Sequence, residues 1–340
     1  MPPRVSIIIP TLNEAHNIVA CLDSLCNQDF DLRAVEVLVA DGGSTDGTQE
    51  LALRFAARLN LQIVDNSERG EAEWGKGLAL LQAHGEYFQC VDADMRFGHP
   101  ELLTRLVAPL DADQGLAGST APYVEGEGLS ITARFLTFDP LQRDPLLEVL
   151  TPAAADMVVQ RAAEWSVMVF DRLPIPPVGG TTMFRRSQLN VSRWGGYFLE
   201  SDHPVSLAKR GHRRFALIES EGVGWIHLHC TGLLDLVRKR MRNVSGLSSS
   251  YFAAPDLREV VWLDLEDTDA VRKLAGWMIG THLIFPRLIE GLWQALRLRR
   301  LEPLLRPVVA LAVADALLIQ LLRSSRTRKF LRSAARGVLR

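Results

Sequence analysis

The first hundred residues alternate between short apolar runs and segments with helical periodicity, and this alternation restricts the fold most. Val5–Ile9 and Val35–Ala40 are apolar, rich in β-branched residues and as long as a buried strand. Two further runs continue the series, Leu61–Val64 and Tyr87–Val91. The predicted helices between and beside them are Asn13–Cys26, Thr48–Leu59 and Gly75–Ala83. Such alternation predicts an α/β fold with a mixed, mostly parallel sheet that is flanked by helices.

Polar clusters directly follow three of these strands, namely Thr11–Glu14, Asp41–Asp46 and Asp92–Asp94. Ligands of open α/β sheets bind beyond the carboxyl ends of the strands, so these clusters indicate one shared site. Asp92 and Asp94 are two residues apart, and both carboxylates can face a hard divalent cation that bridges a diphosphate. The triplet alone is a weak signal, because Asp-x-Asp is also common in turns.

The loop after the second strand suits a nucleobase. The Asp41 carboxylate can accept a hydrogen bond from a base N–H, and the two glycines after it let the backbone approach a flat ring. The structural alternative is helix capping, which we assign to Ser44 or Asp46 because they precede the predicted helix at Thr48.

Three segments together resemble the signatures of family 2 glycosyltransferases: Val5–Glu14, Val39–Thr48 and Val91–Asp94. The resemblance covers about residues 4–230 and is most specific in the first hundred. It implies a GT-A (Rossmann-like) fold, a nucleotide-diphospho-sugar donor with UDP-sugar favoured, Mg²⁺ or Mn²⁺ as cofactor, and inversion at the anomeric carbon. The family often has two aspartates where this chain has Asp41 and Gly42.

The resemblance also implies roles for single residues. The base and ribose contacts fall on Thr11, Glu14 and Asp41, with Pro10 beside them. The metal ligands fall on Asp94 and Asp92, and Asp92 also lies against the ribose. Arg69 and Lys76 occupy positions where the family places cations near the base or diphosphate, whereas solvated surface charge is the alternative for both.

Inversion by a single displacement needs a general base for the acceptor hydroxyl. The family supplies it from a Glu-Asp pair after a turn that resembles Gly195–Tyr197, but here the sequence continues to Glu200 and Asp202 with a serine between them. Asp202 is the first candidate and Glu200 the second. Their alternative role is to pair with Arg210 or Arg213 on the next predicted helix, the basic segment Leu207–Arg214.

His227 and His229 alternate along a strand-like segment, so their imidazoles lie on one side. The resemblance implies that one of them is a metal or diphosphate ligand. A purely structural role is the alternative.

The composition changes near residue 231, which predicts a GT-A catalytic domain over 1–230 and a helical region over 231–340. The nucleotide-sugar half of the first domain is expected at about 1–120 and the acceptor half at about 120–230. Ile284–Arg297 is amphipathic, and Pro307–Leu322 is apolar but short and interrupted for a span. We expect a helix that lies on or dips into a bilayer. A crossing helix, an intramolecular subdomain and a dimer interface are the alternatives.

The charge distribution bears on the partners. A formal net charge of −2 argues against a nucleic-acid binder. From Ala316 to Arg340, however, the chain has seven basic and no acidic residues, which favours an anionic membrane surface on the cytoplasmic side. The N-terminus lacks a signal pattern, so we expect a cytosolic catalytic part.

The sequence thus predicts a glycosyltransferase with a lipid-linked or saccharide acceptor, acting in cell-envelope or exopolysaccharide biosynthesis. A membrane-associated binding protein built on an inactive GT-A fold and a nucleotidyltransferase are the alternatives. Intact Asp41, Asp92 and Asp94 disfavour the first, and the glycine-free loop Pro10–Glu14 disfavours the second.

Overall fold

The computed structural model describes residues 2–137, 145–190, 196–253 and 268–323. The chain forms two compact units. The first comprises Met1–Gly128 and Ala153–His229, and the second comprises Leu129–Pro152 and Cys230–Arg340. The division into domains at residue 230 stays a prediction.

A mixed nine-stranded sheet forms the centre of the first unit, in the order β3-β2-β1-β4-β9-β6-β10-β8-β7. Strands β3, β2, β1 and β4 are parallel to one another, as is the pair β6 and β10. The strands of this sheet are β1 Val5–Thr11, β2 Val35–Asp41, β3 Asn60–Asp65, β4 Tyr87–Cys90, β6 Leu116–Thr120, β7 Val158–Arg161, β8 Trp165–Val169, β9 Thr182–Arg185 and β10 Arg214–Ile218. Strands β5 Met95–Phe97 and β11 Trp225–His227 form a separate two-stranded sheet. The predicted sheet is confirmed.

Helices flank this sheet because the central strands are apolar on both faces. Every residue of β1 and β2 is buried, and the core includes Ile7, Ile9 and Val37. The helices of this unit are α1 Ile18–Cys26, α2 Thr48–Leu53, α3 Ala72–Gln82, α4 Leu102–Ala112 and α7 Asp202–Lys209. Helix α3 packs on β1 and β2, and α4 packs on β6 and β10.

The predicted helices of this unit have different bounds in the structure, and the differences are largest in three of them. Helix α1 begins at Ile18 and not at Asn13, since Asn13 has a φ of 57° and belongs to a turn. Helix α2 ends at Leu53, where turns follow. The predicted basic helix Leu207–Arg214 is wrong, because Gly211 with a φ of 94° follows the end of α7 and Arg214 begins β10.

The second unit is helical. Its helices are α5 Ile131–Thr137, α6 Leu147–Leu150, α8 Leu233–Ala253, α9 Thr268–His282, α10 Phe285–Leu298 and α11 Arg306–Arg323. Helix α11 packs along α8, and its side chains Val309 and Val313 share a core with Leu236 and Leu274. Within the described residues one helical segment, Glu302–Arg323, is long and apolar enough to cross a membrane, and 44% of its most apolar window is buried. The basic tail beyond Arg323 lies outside the described residues.

Candidate active site

The polar clusters meet at one edge of the sheet because their strands are neighbours. Strand β1 lies between β2 and β4, and the parallel register pairs Thr11 with Asp41 and Ile8 with Cys90. The loops that follow these three strands therefore leave the sheet side by side.

Asp41 is the buried centre of the loop after β2. Its carboxylate accepts five hydrogen bonds, including those from Thr11 Oγ1 at 2.9 Å, Ser44 Oγ at 2.6 Å and Gln49 Nε2 at 2.7 Å. Burial raises the pKa of Asp41, but the hydrogen bonds to Ser44, Gln49 and Thr11 outweigh it and hold this pKa below its ordinary value. Asp41 thus stays ionised and shapes the loop, and its contact with a base stays a prediction.

Backbone hydrogen bonds join the first loop to the second. Glu14 N–H donates to Thr48 Oγ1 at 2.8 Å, and Asn13 N–H donates to Ser44 Oγ at 2.8 Å. The Glu14 carboxylate accepts a hydrogen bond from Asn17 Nδ2 at 2.8 Å. Of the two predicted capping residues, Asp46 accepts the N–H of Thr48 at 3.1 Å, whereas Ser44 is bound to Asp41. The predicted base and ribose contacts Pro10, Thr11, Glu14 and Asp41 therefore belong to one hydrogen-bonded pair of loops and the strand ends beneath it.

Lys76 links the loop after β4 to the loop that precedes α7. Its side chain is 5% exposed, and Nζ lies 2.5 Å from Glu200 Oε1 and 3.4 Å from Asp92 Oδ1. Burial lowers the pKa of Lys76, but attraction to Asp92 and Glu200 raises it well above its usual range, so the amine stays charged. Lys76 is therefore not the solvated surface charge that was its alternative role.

Arg69 is exposed and differs from Lys76 in its surroundings. Its guanidinium carbon lies 4.4 Å above the centre of the Trp74 ring, and Trp74 meets Tyr197 edge to face with 5.5 Å between ring centroids. The described contacts place Arg69 in an aromatic cluster next to α3, and its role towards a donor stays a prediction.

The two candidate bases have different environments. Glu200 is paired with Lys76, and burial raises its pKa although Lys76 opposes this. Asp202 is 2% exposed and is the first residue of α7. The alternative partners donate to backbone carbonyls, Arg210 to Ser206 and Gln188 and Arg213 to Ala208. Gly195 of the predicted turn lies outside the described residues.

Close packing fixes the loop that carries these two carboxylates. A Cβ atom on Gly77 of α3 would lie 1.5 Å from the carbonyl oxygen of Gly196, so only glycine fits. Phe198 N–H donates to the Glu73 carbonyl at 3.0 Å. The loop is thereby attached to the same helix that provides Lys76.

Asp94, His227 and His229 form a compact cluster of potential metal ligands. Strand β11 pairs with β5 in an antiparallel register that sets His227 opposite Met95, and Leu228 N–H donates to the Asp94 carbonyl at 3.0 Å. The potential ligand atoms of the three side chains lie within 4.8 Å of one another, and His227 Nε2 is 3.1 Å from Asp94 Oδ1. One carboxylate and two imidazoles suit a divalent cation that accepts both oxygen and nitrogen ligands. Asp92, also predicted as a ligand, lies outside this trio and contacts Lys76.

Some residues of the site carry no sequence signal. Tyr123 stacks on His227 with 5.5 Å between ring centroids and an interplanar angle of 25°, and its backbone bridges to Trp225. It lies in a segment without a motif, so only the folded chain reveals it. Gln49, which donates to Asp41, resembles any other polar residue in the first turn of a helix.

The comparisons with known proteins agree with this architecture. Residues 6–162 match the model of the family described as glycosyl transferase family 2. Glycosyltransferase AglE of Haloferax volcanii is 32% identical over 142 residues, 41% of this chain and 46% of that protein. Poly(ribitol-phosphate) beta-N-acetylglucosaminyltransferase TarS of Staphylococcus aureus is 36% identical over 92 residues, 27% of this chain and 16% of that protein. The chain thus spans less than half the length of these two curated relatives.

A solved structure shows the same fold. The mannosyltransferase PcManGT from Pyrobaculum calidifontis, in complex with GDP-Man and Mn²⁺, superposes with a TM-score of 0.52 at 21% identity, covering 100% of this chain and 81% of that one. Together with the sheet order, this superposition shows the GT-A fold. The match of residues 6–162 to the glycosyl transferase family 2 model confirms the resemblance seen in the sequence.

Proposed function

We propose that the protein is an inverting glycosyltransferase that uses a nucleotide-diphospho-sugar, with a UDP-sugar favoured by the family resemblance. The acceptor is a lipid-linked molecule or saccharide at the cytoplasmic face of the membrane, in cell-envelope or exopolysaccharide biosynthesis. One observation carries the proposal: the cluster of Asp94, His227 and His229 lies at the same sheet edge as the pair of Asp92 and Lys76. Together they supply the charges that a departing nucleoside diphosphate requires.

The donor side of the site would bind the nucleotide-diphospho-sugar through a metal ion and through contacts to its base and ribose. Asp94, His227 and His229 would hold Mg²⁺ or Mn²⁺, and the bound cation would neutralise charge on the diphosphate. The nitrogen ligands favour Mn²⁺ over Mg²⁺, because Mg²⁺ prefers an octahedron of oxygen ligands. The ion pair with Lys76 orients Asp92. The loop built around Asp41 would provide the contacts to the base and the ribose.

The acceptor side needs a carboxylate that takes the proton of the acceptor hydroxyl. The family resemblance makes Asp202 the first candidate, and the carboxylate of Glu200 is held by Lys76 at 2.5 Å. In this proposal Asp202 accepts the proton of the acceptor hydroxyl, and Glu200 positions Lys76.

The two alternative functions make different demands on the site. An inactive binding protein does not need a ligand cluster that is already assembled, as Asp94, His227 and His229 are here. A nucleotidyltransferase of the expected kind carries a glycine-rich first loop, and the loop Pro10–Glu14 holds no glycine.

The test is a panel of nucleotide sugars, assayed for Mn²⁺-dependent donor hydrolysis and for transfer to membrane-lipid extracts. Asp94→Asn and His227→Gln should each weaken Mn²⁺ binding, measured by calorimetry with UDP present, by at least roughly 100-fold. His212→Gln is the matched control, because His212 is exposed and outside the ligand cluster. Donor turnover that survives in the double variant Asp92→Asn/Asp94→Asn would contradict the proposal.

A further inference from the structure

Helix α10 carries large apolar side chains on its solvent-facing side. Phe285 is 75% exposed, Ile289 67% and Leu296 71%. The same side also includes Leu288, Leu292 and Trp293, which are all about half exposed. At about 3.6 residues per turn, these positions fall in one continuous stripe along the helix. A helix of a soluble domain normally turns such a stripe towards the core.

Helix α10 is attached to its own unit through the opposite side, which carries small and charged residues. Gly291 and Ala295 are buried, and a Cβ atom on Gly291 would lie 2.8 Å from the Pro303 carbonyl oxygen. Arg287 donates to Glu290 at 2.6 Å, and Glu290 also pairs with Arg306 at 3.3 Å. These contacts fix the rotation of the helix about its axis, so the apolar stripe faces outward because of tertiary packing.

Basic residues border the stripe. The guanidinium carbon of Arg297 lies 5.2 Å from the centre of the Trp293 ring, and Arg299 is exposed just beyond the end of the helix. The nearby acidic group, Glu290, is already neutralised by Arg287 and Arg306. Further along the chain, the sequence from Ala316 to Arg340 carries seven basic and no acidic residues. An apolar stripe with a cationic rim complements acyl chains beneath anionic headgroups.

The chemistry of the stripe favours lipid over a protein partner. Its side chains are hydrocarbon apart from the indole N–H of Trp293, whereas protein interfaces carry about one hydrogen bond per 100–200 Å². Acyl chains require no hydrogen bonds, and tryptophan is enriched where headgroups meet acyl chains. A stripe of this composition therefore matches the interfacial zone of a bilayer.

We propose that the outward face of α10 docks on a bilayer that contains anionic phospholipid, with the helix lying in the plane of the headgroups. Helix α11, the more apolar segment in sequence, instead uses Val309, Val313 and Leu317 in the core of its unit. This inference deepens the membrane part of the proposed function and names the element that makes the contact.

The experiment measures binding of the full chain to vesicles of phosphatidylcholine, with and without phosphatidylglycerol, by co-sedimentation. We expect binding that is stronger with phosphatidylglycerol and that falls by at least roughly 100-fold in Phe285→Ser/Ile289→Ser/Leu296→Ser. The matched control is Leu53→Ser/Leu81→Ser/Val159→Ser, which changes three apolar residues of the first unit that are at least half exposed and should bind as the native chain does. Because the vesicles contain neither donor nor acceptor, the result is independent of glycosyl transfer.

A second measurement uses Trp293 of the apolar stripe as a fluorescent reporter and leaves the other residues of the stripe unchanged. Vesicles with brominated acyl chains should quench tryptophan fluorescence of the native chain, and Trp293→Phe should remove most of that quenching. Vesicle binding by the stripe triple variant at native strength would overturn the proposal. A lipid-free dimer that this triple variant dissociates, without vesicle binding by the native chain, would overturn it in favour of a second copy.

Discussion

Lys76 Nζ and Glu200 Oε1 lie 2.5 Å apart in a setting where both side chains are nearly buried. The pair connects α3 to the loop before α7, and Asp92 completes it from the end of β4 at 3.4 Å. The loop after β4 and the loop before α7 therefore share one buried cation. Disturbing that cation should affect stability as well as activity.

Replacement of Lys76 by methionine should leave Glu200 buried without its counter-charge. We expect Lys76→Met to lower the free energy of unfolding by about 3 kcal/mol, measured by urea denaturation. The double variant Lys76→Met/Glu200→Gln should lose less than Lys76→Met alone, because no charge is then left unpaired at this position. Lys209→Met, at an exposed position of α7, is the control. Equal losses in the single and double variants would show that the pair is not coupled.

The fold of the first unit was predictable from local patterns, whereas parts of the site depend on distant contacts. Val5–Ile9 and Val35–Ala40 are strands because runs rich in β-branched residues suit a sheet covered on both faces. Asp92 and Asp94 follow the buried strand Tyr87–Cys90, so their place at the sheet edge could be inferred. The place of Tyr123 could not be inferred, because its partners His227 and Trp225 lie about a hundred residues away in sequence.

The environment of charged residues was the least predictable feature. Lys76 and Arg69 looked equivalent in the sequence, yet one is buried in an ion pair and the other is exposed above Trp74. The burial of Lys76 depends on the loop at Gly196, which can approach α3 closely only because residue 77 is a glycine. The predicted helix Leu207–Arg214 is wrong for a related reason. Gly211, which has a left-handed conformation, follows the end of α7, and Arg214 pairs with β6 in the sheet.

His203 should make the folded state sensitive to pH. It packs among Phe88, Phe184 and Phe198, and burial, with a smaller contribution from Arg210, lowers its pKa from 6.5 to about 3. Since the unfolded chain binds this proton more readily, the contribution of His203 to stability is complete above pH 6.5 and is lost as the pH falls towards 3.

The loss attributable to His203 should reach about 2 kcal/mol between about pH 7 and about pH 5. His203→Phe should remove that part of the pH dependence, as measured by urea denaturation at both pH values. His212→Phe, at an exposed position, should keep the native profile. A slope unchanged by His203→Phe would mean that the imidazole is protonated in the folded protein.

Gly77 and Gly276 should respond to alanine with opposite signs. At Gly77 the new methyl group meets the Gly196 carbonyl at 1.5 Å, so the loop must move, and we expect a loss of about 2 kcal/mol or more. At Gly276 in α9, nothing lies within 4 Å, and alanine should gain up to about 1 kcal/mol from helix propensity. Thermal unfolding of both variants measures the difference. Similar midpoints for the two would contradict the close packing of the loop on α3.

Asp202→Asn and Glu200→Gln separate the two candidate bases by their kinetics. If Asp202 takes the acceptor proton, Asp202→Asn should lower kcat by about 10²–10⁴-fold while the donor KM stays near its native value. Glu200→Gln removes a charge that neutralises Lys76, so its main effects should be on stability and donor KM. The assay is steady-state transfer with the donor selected from the nucleotide-sugar panel, and calorimetric UDP binding confirms that each variant retains its donor site. A loss of kcat confined to Glu200→Gln would contradict the assignment of Asp202 and make Glu200 the base. Lys76 would then hold that base in position.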